Sequence, residues 1–241
     1  MQFTDSHIHL QDYKAKNAPK IIAELKSLNF ARVICVSDSM ESWTRVAYLS
    51  QKYSDMIIPA FGLHPWHIKG RNQDWENSLK QKLLQFPKAL IGECGIDRLK
   101  VFDETIQSEI FHKQILLANT LNRSLIIHSL KSEALTEAFL PKIRNKFMVH
   151  SFGGSINFLQ RVLSYGGYIS LSFSVLKRKN FQEIICNIPL EKLLLESDGP
   201  YQSDYVDISS LAETIANLKE ISTEKVVSSV YTNFKEFTHG K

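Results

Sequence analysis

The chain has 241 residues, is 44% hydrophobic and carries a net charge of +4, which excludes a disordered chain and fits one large domain or two small ones with a proper core. Such mild basicity is compatible with a polyanionic substrate without arguing for one. Three widely spaced cysteines (Cys35, Cys94 and Cys186), no leader peptide and no apolar run of the ~20 residues that span a bilayer point to reduced thiols in a soluble cytoplasmic protein with no membrane partner.

Apolar runs of strand length alternate with helix-period segments from end to end. Gln2 to Ile8 reads as the first strand, followed by a helix with Ile21, Ile22, Leu25 and Leu28 on one face. Ala31 to Val36 is the second strand, and a helix around Trp43 to Lys52 leads to the third, Met56 to Gly62. A helix around Trp75 to Gln85 precedes the fourth strand, Ala89 to Glu93. The clearest helix is Glu104 to Leu121, with Ile106, Ile110, Leu117 and Leu121 as its apolar stripe. Ser124 to His128 is the fifth strand, and a helix from Ser132 to Leu140 ends at Pro141, which cannot readily continue it. Lys146 to His150 is the sixth strand. Ser155 reads as the N-cap of a helix ending near Gly166 and Gly167. Tyr168 to Leu171 is the seventh strand, a helix covers Asn180 to Asn187, and Lys192 to Glu196 is the eighth strand. Helices over Ile208 to Leu218 and Thr223 to Phe237 close the chain.

No linker or change of composition interrupts these eight strand–helix units. The alternation predicts βαβ units and a parallel sheet. Eight such units in this length fit one (β/α)8 TIM barrel over residues 1–241. An open doubly wound sheet is the rival, because periodicity alone does not show closure.

The histidines and acids fall at matching places. His7 and His9 end strand one, His64 and His67 follow strand three, and Glu93 ends strand four. His128 and His150 end strands five and six, and Asp198 follows strand eight. Residues i and i+2 of a strand share a face, so His7 and His9 would project together. An isolated H-x-H is weak, since one imidazole could be packed in the core. In a barrel, however, all these strand ends share the C-terminal rim where active sites sit. Four imidazoles and two carboxylates there are more than one ion needs and suit two divalent ions.

The ordered motifs are D-S-H-I-H at 5–9, G-L-H-P at 62–65, G-E-C-G-I-D at 92–97, I-H-S at 127–129, V-H-S-F-G-G at 149–154 and L-L-L-E-S-D-G-P at 193–200. On these, the chain resembles the TatD-type metal-dependent deoxyribonucleases of the amidohydrolase superfamily from its first strand to its last helix. The resemblance implies that His7, His9 and Asp198 hold one metal, that His128 and His150 hold the other, and that Glu93 bridges them. It implies a bridging hydroxide attacking phosphorus, with Asp198 orienting it and accepting its proton, and His64 contacting substrate. The implied activity is 3′→5′ exodeoxyribonuclease action on single-stranded DNA ends with two divalent ions (Mg, Mn or Zn). The implied partner is nucleic acid, DNA or RNA, and no obligate protein partner is evident.

Other residues fit phosphate binding. Gly153 and Gly154 lead into a helix N-terminus, where free N–H groups form an anion site; an ordinary flexible turn reads equally well. Lys177, with Arg178 and Lys179, follows strand seven and could neutralise a nucleic-acid backbone, although a solvated cluster is the simpler reading. Trp66 and Tyr201, in rim loops, could stack on bases, and buried loop packing reads at least as well. Leu130 stands where relatives usually carry Arg, Arg98 where they often carry Tyr, and the usual Arg-Gly loop after Pro200 is missing. These departures spare the metal ligands but keep two other readings open: a two-metal hydrolase of another ester (a small phosphoester or an aminoacyl-nucleic-acid ester) and a non-catalytic metal-binding protein.

Overall fold

A computed structural model describes residues 1–13, 17–99 and 103–239. Eight parallel strands run in chain order, β1 (Phe3–Ile8), β2 (Phe30–Val36), β3 (Ile57–Phe61), β4 (Leu90–Asp97), β5 (Leu125–Leu130), β6 (Phe147–Val149), β7 (Tyr168–Leu171) and β8 (Leu193–Leu195). Each pairs with the next. The seam between β8 and β1 is bridged by Ser6 Oγ, which donates to Leu195 O (2.9 Å), and by the Asp198 N–H, which donates to His7 O (2.8 Å). The sheet is therefore a nearly closed (β/α)8 barrel, and the open-sheet alternative is set aside.

The helices are α1 (Ala18–Ser27), α2 (Met40–Lys52), α3 (Trp75–Gln85), α4 (Glu104–Leu121), α5 (Glu133–Glu137), α6 (Ile156–Ser164), α7 (Phe181–Asn187), α8 (Asp207–Leu218) and α9 (Thr223–Thr238). They cover the barrel's outer face and enclose the larger of its two cores. The smaller core lies inside the barrel, where Ile34, Ile58, Ile126, Met148 and Leu194 meet Phe234 and Phe237 of α9. Strands buried on both faces read as continuous apolar runs, which is why their cores were plain in the sequence. Among the described residues no helix is long and apolar enough to cross a membrane.

Three elements differ from expectation. β4 runs on to Asp97, so Glu93 lies within the strand; a register shift between Ile91 and Cys94 against β5 lets the strand continue past it. The helix expected over 132–140 is one short turn ended at Glu137, with a 3-10 turn at Leu140–Lys142 built on Pro141. On α4 the buried face is shifted from the predicted stripe and includes Gln107 and Gln114. Both glutamines are spent on the rim. Gln114 bonds the N–H and C=O of Leu63 at 2.9 and 3.1 Å, and Gln107 those of Asp97 at 2.8 and 3.0 Å.

Candidate metal centre

His7, His9, Glu93, His128, His150 and Asp198 converge at the C-terminal ends of the strands. Their donor atoms fall into two groups. In the first, His7 Nε2 lies 3.0 Å from His9 Nε2, and Asp198 Oδ1 lies 3.5 and 3.3 Å from these nitrogens. Glu93 Oε2 adds a fourth donor, 3.3 Å from His7 and 3.7 Å from His9. In the second, Glu93 Oε1 lies 2.9 Å from His128 Nδ1 and 2.7 Å from His150 Nε2, which are 3.3 Å apart. The two oxygens of one carboxylate thus face different groups, as a bridging ligand requires.

The spacing fits metal ions. Ligands at ~2.0–2.2 Å from one ion lie roughly 3 to 3.5 Å from each other, and the donor separations here, from 2.7 to 3.7 Å, bracket that range. Hard oxygens mixed with imidazoles suit Mg, Mn or Zn. Burial works to raise the Glu93 pKa, but His150, His64 and His7 around it hold the carboxyl well below its usual range. At Asp198, burial again opposes ionisation, and the bond from His9 with the charges of His7 and His150 outweighs it. Both acids are ionised at neutral pH and so able to act as ligands. Asp198 holds its place in left-handed backbone (φ 51°), a conformation aspartate tolerates better than most residues.

Around this cluster stand residues to which the sequence reading assigned no role. Asp97 Oδ2 is 3.1 Å from His128 Nε2 and accepts from Trp66 Nε1 at 2.6 Å. Burial raises the Asp97 carboxyl, but the bond from His128 and those from Leu99 N and Trp66 bring it down to about 2. Glu196 Oε1 lies 3.3 Å from His150 Nδ1 and accepts from Ser151 N at 2.7 Å. Asp5 accepts from Ser197 Oγ (2.6 Å) and from the amides of His7 (3.0 Å) and Ser197 (3.1 Å), tying both ligand turns together. Carboxylates behind metal-bound imidazoles fix their tautomer and orientation. Asp97 and Glu196 each sit inside a motif that also supplies a candidate ligand, Glu93 and Asp198 respectively. Neither His7 Nδ1 nor His150 Nδ1 has a hydrogen-bond partner among the described residues, the latter having only the Glu196 carboxylate near it.

Asp97→Asn is expected to weaken metal uptake by about 10- to 100-fold. Equilibrium dialysis against Mn would show it; an unchanged affinity would detach Asp97 from the site.

His64 is buried at the edge of the second group, its Nε2 3.4 Å from Glu93 Oε1 and its ring edge-on to His128. Its Nδ1 accepts the Trp66 N–H at 3.1 Å. Burial lowers its pKa to about 4, so the ring is neutral and the proton belongs on Nε2. An Nε2–H faces the cluster as a donor rather than a ligand. Of the other predicted contacts, Lys177 is exposed in the 3-10 turn after β7. Gly153 lies under the Arg178 guanidinium, and Gly154 beside Phe158 and Glu133. The Ser155 amide, expected to be free for an anion, already donates to Glu133 Oε1 at 2.9 Å. Trp66 and Tyr201 are both exposed on the rim, and Tyr201 meets His9 edge-on.

His67 stays outside the cluster, with Nε2 3.1 Å from Asp38 Oδ2. That bond raises the pKa of His67 from 6.5. Burial works to raise Asp38, and the bond from His67 outweighs it and takes the carboxyl below 3.8. The contribution to stability is therefore full between about pH 4 and 6.5. It fades above pH 6.5 as His67 loses its proton and below pH 4 as Asp38 gains one. Half-exposed, the pair is worth under about 1 kcal/mol. The melting difference between wild type and His67→Asn should be largest near pH 5.5 and vanish by about pH 9; a constant difference would mean that the ion pair is not its source.

Fold and donor set together define a metal-dependent hydrolase built on a (β/α)8 barrel. The chain belongs to the TatD-related DNase family, whose model matches residues 4–239. It is 27% identical over 250 residues to an uncharacterised metal-dependent hydrolase of Methanocaldococcus jannaschii, covering 98% of this chain and 97% of that one. It is 25% identical over 192 residues to a 3′-5′ ssDNA/RNA exonuclease TatD of Edwardsiella piscicida, covering 77% and 74%. Among solved structures, a TatD-family hydrolase of Entamoeba histolytica superimposes with a TM-score of 0.89 at 19% identity over 98% of both chains, a likeness of fold.

Proposed function

We infer that the protein is a two-metal phosphodiesterase that removes nucleotides from the 3′ end of single-stranded DNA. The observation carrying this reading is the split of the Glu93 carboxylate, Oε2 toward His7 and His9 and Oε1 toward His128 and His150. His7, His9, Asp198 and Glu93 would hold one ion, and Glu93, His128 and His150 the other. Two divalent ions there would lower the pKa of the attacking water and neutralise charge on the attacked and leaving oxygens. Asp198, ionised and within 3.5 Å of His7 and His9, would accept a proton from the attacking water. His64 donates its Nε2–H to a phosphoryl oxygen. Trp66 and Tyr201 supply exposed faces on which unpaired bases stack. Polarity and strand preference lean on the name of the Edwardsiella relative.

A second reading, hydrolysis of another ester, draws on the composition of the rim. Beside the cluster, Gln202 Oε1 accepts hydroxyls from Ser151, Ser172 and Ser174 at 2.8, 3.0 and 2.7 Å. A neutral hydroxyl patch suits a small polar ester better than a long polyanion.

One assay separates the two. Protein stripped with chelator is reloaded with Mg, Mn or Zn and given a single-stranded oligonucleotide labelled at each end in turn, with Asp198→Asn as control. Stepwise shortening from the 3′ end, lost in the control, is expected. No cleavage despite two bound ions per chain would reject DNA and favour the second reading.

A further inference from the structure

A cavity suited to a small ligand lies away from the metal centre. It opens at the opposite, N-terminal end of the barrel, has a volume of about 640 Å³, and lies where β3, β4 and β5 begin and α2, α3, α4 and α9 end. That volume falls within the range of small-molecule sites, ~300–1,000 Å³. Its lining includes four basic residues, Arg32, Lys88, Arg123 and His239, together with the apolar Ile57 and Phe86. No carboxylate is among the residues that line it.

The two arginines are held and only partly satisfied. Arg32 Nη2 donates to Ser54 O at 2.8 Å, and Arg123 Nη1 donates to Pro87 O. These bonds neutralise the carbonyl-rich ends nearby, as cations do at helix C-termini. The Nε–H of each is nevertheless buried without a hydrogen-bond partner. Burial alone lowers the Arg123 pKa, with no acid to offset it. A buried, unpartnered guanidinium N–H in a cavity lined by no carboxylate is a costly arrangement, and an oxyanion is the partner whose geometry the guanidinium fork matches.

We propose that this cavity is a second ligand site, taking a small organic oxyanion whose phosphate or carboxylate head sits between Arg32, Arg123 and Lys88 and whose body rests on Phe86 and Ile57. The site is remote from the metal ligands, so it does not depend on the catalytic reading. A ligand bound there contacts the strand starts and the end of α9, whose Phe234 and Phe237 plug the barrel.

The test is isothermal titration calorimetry on the full chain with adenosine 5′-monophosphate, citrate and, as the uncharged arm, adenosine. Wild type and Asp198→Asn should each bind one of the two anions outside the metal centre with Kd below ~1 mM, and adenosine far more weakly. Which anion binds separates phosphate from carboxylate. Arg123→Gln should weaken that binding at least ~10-fold while leaving metal-dependent turnover unchanged. Should Arg123→Gln fold poorly, the exposed Lys88→Gln decides, with an expected loss of about 3-fold or more. The proposal is overturned if neither anion binds, if adenosine binds as tightly, if Asp198→Asn alone removes binding, or if the folded arginine and lysine variants bind as wild type does.

Discussion

Asp198→Asn should reduce turnover by at least ~10³-fold while the protein still melts cooperatively within a few degrees of wild type. Asparagine keeps an oxygen of the same reach, so metal content should fall little, and the loss belongs in kcat. The missing function is that of an ionised acceptor, which burial opposes and His9, His7 and His150 together maintain. His9→Ala should fail differently. It removes one of the four donors in the first group, and the metal bound per chain should drop from two toward one, with activity lost alongside. The imidazole lies at the rim rather than in either apolar core, so the barrel remains folded. Turnover and metal content measured on both purified variants distinguish the two. Wild-type turnover in either would dismantle the site, and equal metal loss in both would remove the case for Asp198 as the proton acceptor.

The strands and the convergence of the candidate donors were legible for the same reason. Parallel strands buried on both faces leave unbroken apolar runs, and the residue that ends each run falls on one rim. His7, His9, His128, His150 and Asp198 needed no more than that. Glu93 was picked for ending β4 and turned out to lie within it, because the shift of register after Ile91 has no signature in a single sequence. Asp97 and Glu196 escaped for a different reason: their role is to touch an imidazole from another strand, and spacing along the chain says nothing about that. Gln107 and Gln114 show the limit on helices. A glutamine on a helix reads as surface until the strand carbonyl and amide it serves are known. The Ser155 turn read equally well as an anion site and as an ordinary turn, because its sequence shows a helix N-terminus but not the Glu133 carboxylate, from another helix, that bonds to it.

The close fit of β4 against β5 leads to the second large effect, Gly95→Ala. Gly95 pairs with His128 and has φ +144°, and a Cβ placed on it would lie 2.0 Å from the His128 carbonyl oxygen. Neither strand can yield without breaking the ladder on both sides, because the obstructing atom is backbone. Two costs therefore add, the strained backbone of a residue with a side chain and a collision that only separation of the strands relieves. The change should cost more than about 4 kcal/mol, which in a chain of this size lowers Tm by roughly 10 °C or more. It should also move His128 away from Glu93, so that metal affinity falls in whatever protein still folds. Two other glycines calibrate the argument. Gly166 has φ +78° with nothing within 4 Å of an added Cβ, so alanine there costs only the conformational strain, about 1 kcal/mol. Gly70 has ordinary backbone and 3.8 Å of room to Glu41, so Gly70→Ala should lie within about 0.5 kcal/mol of wild type. Thermal melts of the three variants should rank them in that order, and a Gly95→Ala protein as stable as Gly70→Ala would mean that β4 and β5 do not meet in the register that brings Glu93 to His128.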